Sequence, residues 1–351
     1  VAPSFISGIQ QVGIGVADAE QAFAWYRRAF GMDICVFKDK AEASLMTRYT
    51  GGTRQSRYAI LAMNLQGGGG FEIWQYTSRL PAPLARPVSF DQHGILAIKL
   101  KTRDIVAALP ALHACGPQAL SPIVRSPEGK RHLYLCDPFG HWFEVVEETD
   151  FFSSTDSAVG GVCGAVIGVS QLDRALRYFQ TFGFDRVLVD RERLFEDWDV
   201  VPGTRQVFRR VLLGQSRPMQ GSFGGLLGPV TLELIEARER QAGHVFAGRQ
   251  WGDCGFIHLC FDVHNLPRLA QTLANTWAPC TVDSSSSFDM GNASGHFCYH
   301  EDPDGTLIEL VETHRLPLIP AWGWSLNLKA RSSQKPLPRW LLGLMRFSRV
   351  R

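Results

Sequence analysis

The pattern Asp137-Pro-Phe-Gly-His-Trp-Phe-Glu144 recurs later in the chain as Asp302-Pro-Asp-Gly-Thr-Leu-Ile-Glu309. In both copies a Pro/Gly turn leads into an apolar run with one carboxylate at the same offset. Asp-Pro-x-Gly suits a tight turn, because proline presets one φ angle and glycine tolerates the strained one. The run after it, such as Leu307-Ile-Glu-Leu-Val311, reads as a buried strand. A glutamate inside such a strand is costly unless a cation or hydrogen bonds compensate it. Two of them, each closing a similar unit, point to a metal or a polar cavity.

Other stretches also occur twice. Ile14-Gly-Val16 precedes the helix-like Glu20-Gln-Ala-Phe-Ala-Trp-Tyr-Arg27, and Ile167-Gly-Val169 precedes Asp173-Arg-Ala-Leu-Arg-Tyr-Phe179. Both carry apolar residues at helical spacing, and both end near a glycine, Gly31 and Gly183. A second kind of unit opens with Gly94-Ile-Leu-Ala-Ile-Lys-Leu and again with Gly255-Phe-Ile-His-Leu-Cys-Phe. Helical stretches follow over Asp104–His113 and Asn265–Thr276. The chain therefore divides into four units of strand, helix and about three strands, at 6–78, 92–149, 160–238 and 253–314. Connectors rich in Pro, Ser or Gly separate them. In chain order this makes two halves, 1–150 and 151–316, and a C-terminal extension, 317–351. Gly67-Gly-Gly-Gly70 lacks the Gly-Lys-Ser/Thr of a phosphate loop and precedes a strand, so it reads as a flexible hairpin loop.

These residues resemble the vicinal oxygen chelate superfamily, which includes glyoxalase I, extradiol dioxygenases and the bleomycin-resistance proteins. The resemblance runs to about residue 315 and is strongest in the fourth unit. It implies an α+β fold of four βαβββ modules forming two cup-shaped half-barrel sheets. It also implies metal ligands from one position on the first strand and one on the last strand of each module. Those positions fall on Gln11 and Glu72, Ala97 and Glu144, Gly164 and Glu233, and His258 and Glu309. If neighbouring modules pair, each cup lacks a ligand. If modules 1+4 and 2+3 pair, Gln11, Glu72, His258 and Glu309 form one complete set. The inner cup then keeps only Glu144 and Glu233, as carboxylates that hydrogen-bond within it. Outer pairing is the more economical reading.

Two carboxylates, an imidazole and an amide oxygen suit one divalent ion, Zn, Ni, Co or Mn. Glu72 and Glu309 are then also the catalytic acid–base pair. The expected function is a metal-dependent isomerase or epimerase, or a glyoxalase-type lyase, acting on an α-hydroxycarbonyl compound through an enediolate. Two alternatives stay open: a non-catalytic small-molecule binding or resistance protein, and a ring-cleaving dioxygenase. The second is disfavoured by a single histidine at the ligand positions. His296 and His300 are candidate pocket residues. The segment from Lys38 to Arg57 reads as a lid, in which Arg48, Arg54 and Arg57 could hold an anion.

A formal net charge of +2 on 351 residues, without an internal basic block, argues against nucleic acid as partner. The eight cysteines form no Cys-x-x-Cys pair, so neither a zinc knuckle nor a redox dithiol is indicated. Thiols without a framework, no signal-peptide pattern and no long apolar run make the expectation cytoplasmic, with no transmembrane segment. The expected partner is a small-molecule substrate, and a homodimer is left open. From Lys329 the extension carries Lys and Arg but no acid. It is read either as an amphipathic helix on a membrane surface or as a segment packing Trp340, Leu341, Leu344 and Met345 back on the barrel, anchored by Trp322 and Trp324.

Overall fold

The computed structural model describes residues 3–84, 87–285, 288–290, 293–319, 324–328 and 335–350; Trp322 and the side chain of Trp324 lie outside this description. The first module comprises β1 (Phe5–Gly15), α1 (Ala19–Phe30), β2 (Ile34–Glu42), β3 (Ser56–Met63) and β4 (Gly70–Tyr76). The second comprises β5 (Gly94–Thr102), α2 (Ile105–Ala114), the short β6 (Ala119–Leu120) and β7 (Val124–Arg125), β8 (Arg131–Cys136) and β9 (Trp142–Glu147). In the third are β10 (Val162–Gly168), α3 (Leu172–Gln180), β11 (Arg186–Arg193), β12 (Phe208–Gly214), the one-turn α4 (Gly224–Leu227) and β13 (Thr231–Ala237). The fourth has β14 (Gly255–His264), α5 (Leu266–Thr276), β15 (Val282–Asp283), β16 (Phe288–Met290), β17 (Ala293–Glu301) and β18 (Leu307–Ile319). Then come β19 (Trp324–Asn327) and α6 (Arg339–Leu342).

Two curled sheets result. One runs β15-β17-β18-β14-β1-β4-β3-β2, with β16 on β17 and β19 on β18; the other runs β11-β12-β13-β10-β5-β9-β8-β6, with β7 on β8. The outer modules therefore share one cup and the inner modules the other. Each sequence half contributes one module to each. The seams are antiparallel, β1 with β14 and β5 with β10, whereas β1–β4 and β14–β18 run parallel inside their modules.

Strand periodicity sorts the side chains. Val12, Ile14, Phe71, Ile73, Leu259, Phe261, Ile308 and Leu310 join one apolar core with the helices and with the corresponding residues of the second sheet. Their alternates on the same strands, including Gln11, Glu72, His258 and Glu309, line the cup. The repeated turn is stapled by its aspartate as well as shaped by its proline and glycine. Asp137 Oδ1 accepts from the amides of Phe139 and His141 at 2.9 and 2.8 Å, and Asp302 Oδ1 from those of Asp304 and Thr306 at 2.9 and 2.8 Å. The same backbone hook fixes where both glutamate-bearing strands start.

Gly67–Gly70 departs from the expected flexible loop. All four residues are buried, and this β3–β4 connection docks on the second sheet through Gly69 N to Val162 O (2.8 Å), Val162 N to Gly69 O (2.9 Å) and Gly161 N to Gly67 O (2.9 Å). A Cβ on Gly68, at φ +105°, would lie 2.6 Å from the Gly161 carbonyl carbon. The glycines permit close backbone approach. The β12–β13 connection reciprocates, reaching from the second sheet onto the first, with Leu226 O accepting from Gly68 N at 2.8 Å. The C-terminal extension packs back on the first sheet: Leu342 and Met345 are buried in a cluster with Ile34, Met63, Phe223 and Leu227, while Trp340 is 70% exposed. Among the described residues no helix is long and apolar enough to cross a membrane.

Candidate metal centre

The sheet order decides which candidate residues meet. Glu72 on β4 and Glu309 on β18 flank the β1–β14 seam, and His258 stands on β14 between them. His258 Nε2 lies 3.0 Å from Glu309 Oε2 and 3.4 Å from Glu72 Oε2. One ligand atom from each of the three lies within 4.8 Å of the others. Gln11 is buried, lines the same cavity, and shares its face of β1 with Gly13, the cross-strand partner of His258. All four expected residues thus open onto one cup.

Two features that sequence reasoning misses shape this cluster. Gly13 has no side chain because the imidazole occupies that space; a Cβ there would sit 2.4 Å from His258 Cε1. Tyr299 Oη lies 3.2 Å from His258 Nδ1. With the proton on Nδ1 the ring donates to Tyr299 and presents the Nε2 lone pair to the carboxylates. The period-two rule could have paired Gly13 with Gln11, but not with His258, since that register belongs to the tertiary seam.

The electrostatics ask for a cation. Burial disfavours the imidazolium, yet Glu309 and Glu72 outweigh it and lift His258 to about 9. Burial likewise opposes ionisation of Glu309, and the neighbouring His258 reverses this to hold its carboxyl below the usual range. Despite their short separation, His258 Nε2 and Glu309 Oε2 lack hydrogen-bond alignment, and both are buried without a partner. Buried polar atoms left unsatisfied are expensive. An N/O donor set with converging orphan atoms fits a borderline-hard divalent ion.

Other expectations sort by strand parity. Tyr299 and Phe297 face the cavity, which places His296 and His300 on the opposite side. His296 Nε2 meets Asp283 Oδ1 at 2.7 Å, and His300 Nδ1 meets Tyr178 Oη at 2.8 Å, so neither lines the pocket. The proposed lid arginines face acids: Arg57 pairs with Asp39 (2.9 Å), while Arg54 lies 3.6 Å from Glu42 and Arg48 3.9 Å from Glu301.

The second cup repeats the carboxylates and supplies its own cations. Ala97 and Gly164 offer no ligand, as expected. Lys99, two residues from Ala97 on the same face, places Nζ 2.9 Å from Glu144 Oε2 and also pairs with Glu233. Arg210 bonds Glu233 and reaches Asp197 Oδ2 at 2.6 Å. His132 Nδ1 meets Glu144 Oε1 at 2.7 Å. Burial lowers the cost of deprotonating Lys99, but Glu144 and Glu233 overcome this and keep it charged; Glu144 is correspondingly held far below the usual carboxylate range by Lys99 and His132 against burial. Phe195 and Trp198 of the β11–β12 connection join the apolar cluster that fills the space above. The sequence alone does not single out Lys99, Arg210 and His132, because nothing local marks a lysine in Ile98-Lys-Leu100 as inward-facing.

Comparison with known proteins matches part of the sequence to a family and the fold to solved structures. The model of the Glyoxalase/Bleomycin resistance protein/Dioxygenase superfamily matches residues 8–145. No curated protein matches the chain. Among solved structures, glyoxalase I from Zea mays is similar in fold, with a TM-score of 0.54 at 12% identity over 88% of this chain and 92% of that one. A putative dioxygenase from Bacillus subtilis aligns with a TM-score of 0.53 at 14% identity, over 88% of this chain and 86% of that one.

Proposed function

We propose, from the match of residues 8–145 to the Glyoxalase/Bleomycin resistance protein/Dioxygenase superfamily, that the first cup is a metal-dependent active site for α-hydroxycarbonyl compounds. One observation carries the reading: two buried carboxylates converge on one imidazole at the base of a cavity, with Nε2 of His258 and Oε2 of Glu309 left without hydrogen-bond partners. Gln11, Glu72, His258 and Glu309 would hold one divalent ion. When bound, that ion supplies Lewis acidity toward a carbonyl and its neighbouring oxygen, favouring an enediolate.

The residues of the chain do the proton work. Glu72 and Glu309 reach the cavity from opposite sides of the seam, so one carboxylate accepts the α-proton while the other returns one. Return to the same carbon from the other face is epimerisation, and return to the adjacent carbon is isomerisation or glyoxalase-type chemistry. Tyr299 orients His258, and the apolar walls of the cup exclude water from the exchanging proton. One histidine with two carboxylates weighs against ring cleavage, which favours two histidines and one carboxylate.

The test is solvent deuterium incorporation into a panel of hydroxyketones by Co²⁺-loaded protein. Exchange at the α-carbon, abolished in both Glu72→Gln and Glu309→Gln, is the expected result. Full exchange in both variants would remove the proposed acid–base pair.

A further inference from the structure

The cavity above the carboxylates has a volume of about 380 Å³, within the range of small-molecule sites. Gln11, Glu72 and Glu309 open into it, and further polar residues, among them Gln10, Thr313 and Arg315, line its sides. Three separate parts of the chain contribute to its apolar wall. The first cup's own β2 and β3 supply Val36, Leu61 and Met63. The β12–β13 connection of the second cup inserts Phe223 and Leu227, and the C-terminal extension adds Met345. Leu45, 48% exposed, stands at the rim.

Of the two arginines that line the wall, one is paired with an acid. Arg57 is committed to the Asp39 carboxylate at 2.9 Å and to the Asp39 carbonyl at 3.0 Å. Arg315, exposed, donates to Ser325 Oγ at 2.6 Å. Among the described lining residues Arg315, exposed, is the one cation without an acidic partner, whereas Glu42 and Asp39 would repel a phosphate or carboxylate tail. Away from Arg315, desolvating an anion against this wall has no compensation.

We infer that the substrate is a compound with a vicinal oxygen head and an uncharged apolar body, an alkyl or aryl hydroxyketone, whose body lies against the wall supplied by the second cup and the C-terminal extension. This rests on the proposed function for the oxygen head alone. The second cup thereby gains a role in the first, since the module that lacks a ligand at Gly164 provides part of the wall of the site that keeps its ligands.

The experiment has two arms. In Co²⁺-loaded protein, dissociation constants are measured for straight-chain hydroxamates from acetohydroxamate to decanohydroxamate, and for an equally long hydroxamate ending in carboxylate. In metal-free protein, the neutral fluorophore N-phenyl-1-naphthylamine is titrated. The expected result is about fourfold tighter binding per added methylene over the first several, a marked loss for the carboxylate-ended chain, and fluorophore binding without metal. Leu227→Gln and the rim variant Leu45→Glu, which leaves the core untouched, should flatten the chain-length series. Acetohydroxamate binding with no gain from chain length, and no fluorophore binding, would overturn the inference while sparing the metal reading. Fluorophore binding lost in Leu227→Gln, with no hydroxamate binding at all, would support the apolar chamber and reject the metal reading.

Discussion

The two cups share strand order, seam and paired carboxylates, yet they answer the same electrostatic problem differently. In the first, Glu72 and Glu309 converge on His258 beside a cavity, and polar atoms remain unsatisfied. In the second, Lys99 bridges Glu144 and Glu233, Arg210 pairs with Glu233 and Asp197, and the aromatic rings of Phe195 and Trp198 pack on Arg210. A buried carboxylate pair needs positive charge nearby. Where the chain supplies it covalently the cup is closed and structural. Where only His258 supplies it, a charge the ring gives up with its proton, the cup is open to an exchangeable ion.

The sharpest way to break this contrast is to remove the built-in cation. Lys99→Met leaves Glu144 and Glu233 facing each other with only Arg210 and His132 to compensate, a change expected to cost about 3–5 kcal/mol in urea unfolding. In Lys99→Ala, the freed space among Glu144, Glu233 and His132 should let the second cup take up a divalent ion and recover part of that loss with added Co²⁺. No loss of stability in Lys99→Met would mean that the network does not hold the cup together.

Gly13→Ala attacks the other side of the comparison. Its Cβ would press on the His258 ring, and turning that ring should weaken Co²⁺ affinity about a hundredfold, read by metal titration. Unchanged affinity would show that the imidazole is not needed where it lies. Tyr299→Phe is milder: losing the Nδ1 partner frees the tautomer and should weaken affinity about tenfold with little effect on folding.

The smallest effect concerns Asp262, on the cup face of β14. Burial lifts its carboxyl to about 7, against hydrogen bonds from Ser7 and Gln10. The unfolded chain loses this proton near pH 4, so the native state binds more protons between about 4 and 7. Ionising Asp262 therefore costs stability as pH rises through that window. Asp262→Asn should gain on the order of 1 kcal/mol above pH 7 and nothing at pH 4. A gain of equal size at both pH values would contradict this origin.

Much of this arrangement is legible in the sequence, because period-two alternation and a repeated turn are local. The turns at Asp137 and Asp302, the strand carboxylates and the four helices all follow from short-range pattern. The pairing of modules rests on chemistry instead, since only outer pairing assembles Gln11, Glu72, His258 and Glu309. What the pattern hides is cross-strand. Gly13 makes room for a ring far away in sequence, Lys99 looks like any lysine in an apolar strand, and Gly67–Gly70 reads as a flexible loop until the opposing sheet is present to bury it. Composition alone groups Trp340 with the packing residues, but the extension's short helical turns direct Leu342 and Met345 inward and leave it exposed.

Metal stoichiometry after equilibration with Co²⁺, by elemental mass spectrometry, tests the contrast between the cups most directly. About one ion per chain is expected, lost in His258→Ala and retained in Glu233→Gln. Two ions per chain, or one that survives His258→Ala and disappears in Glu233→Gln, would contradict the assignment of the first cup as the open site.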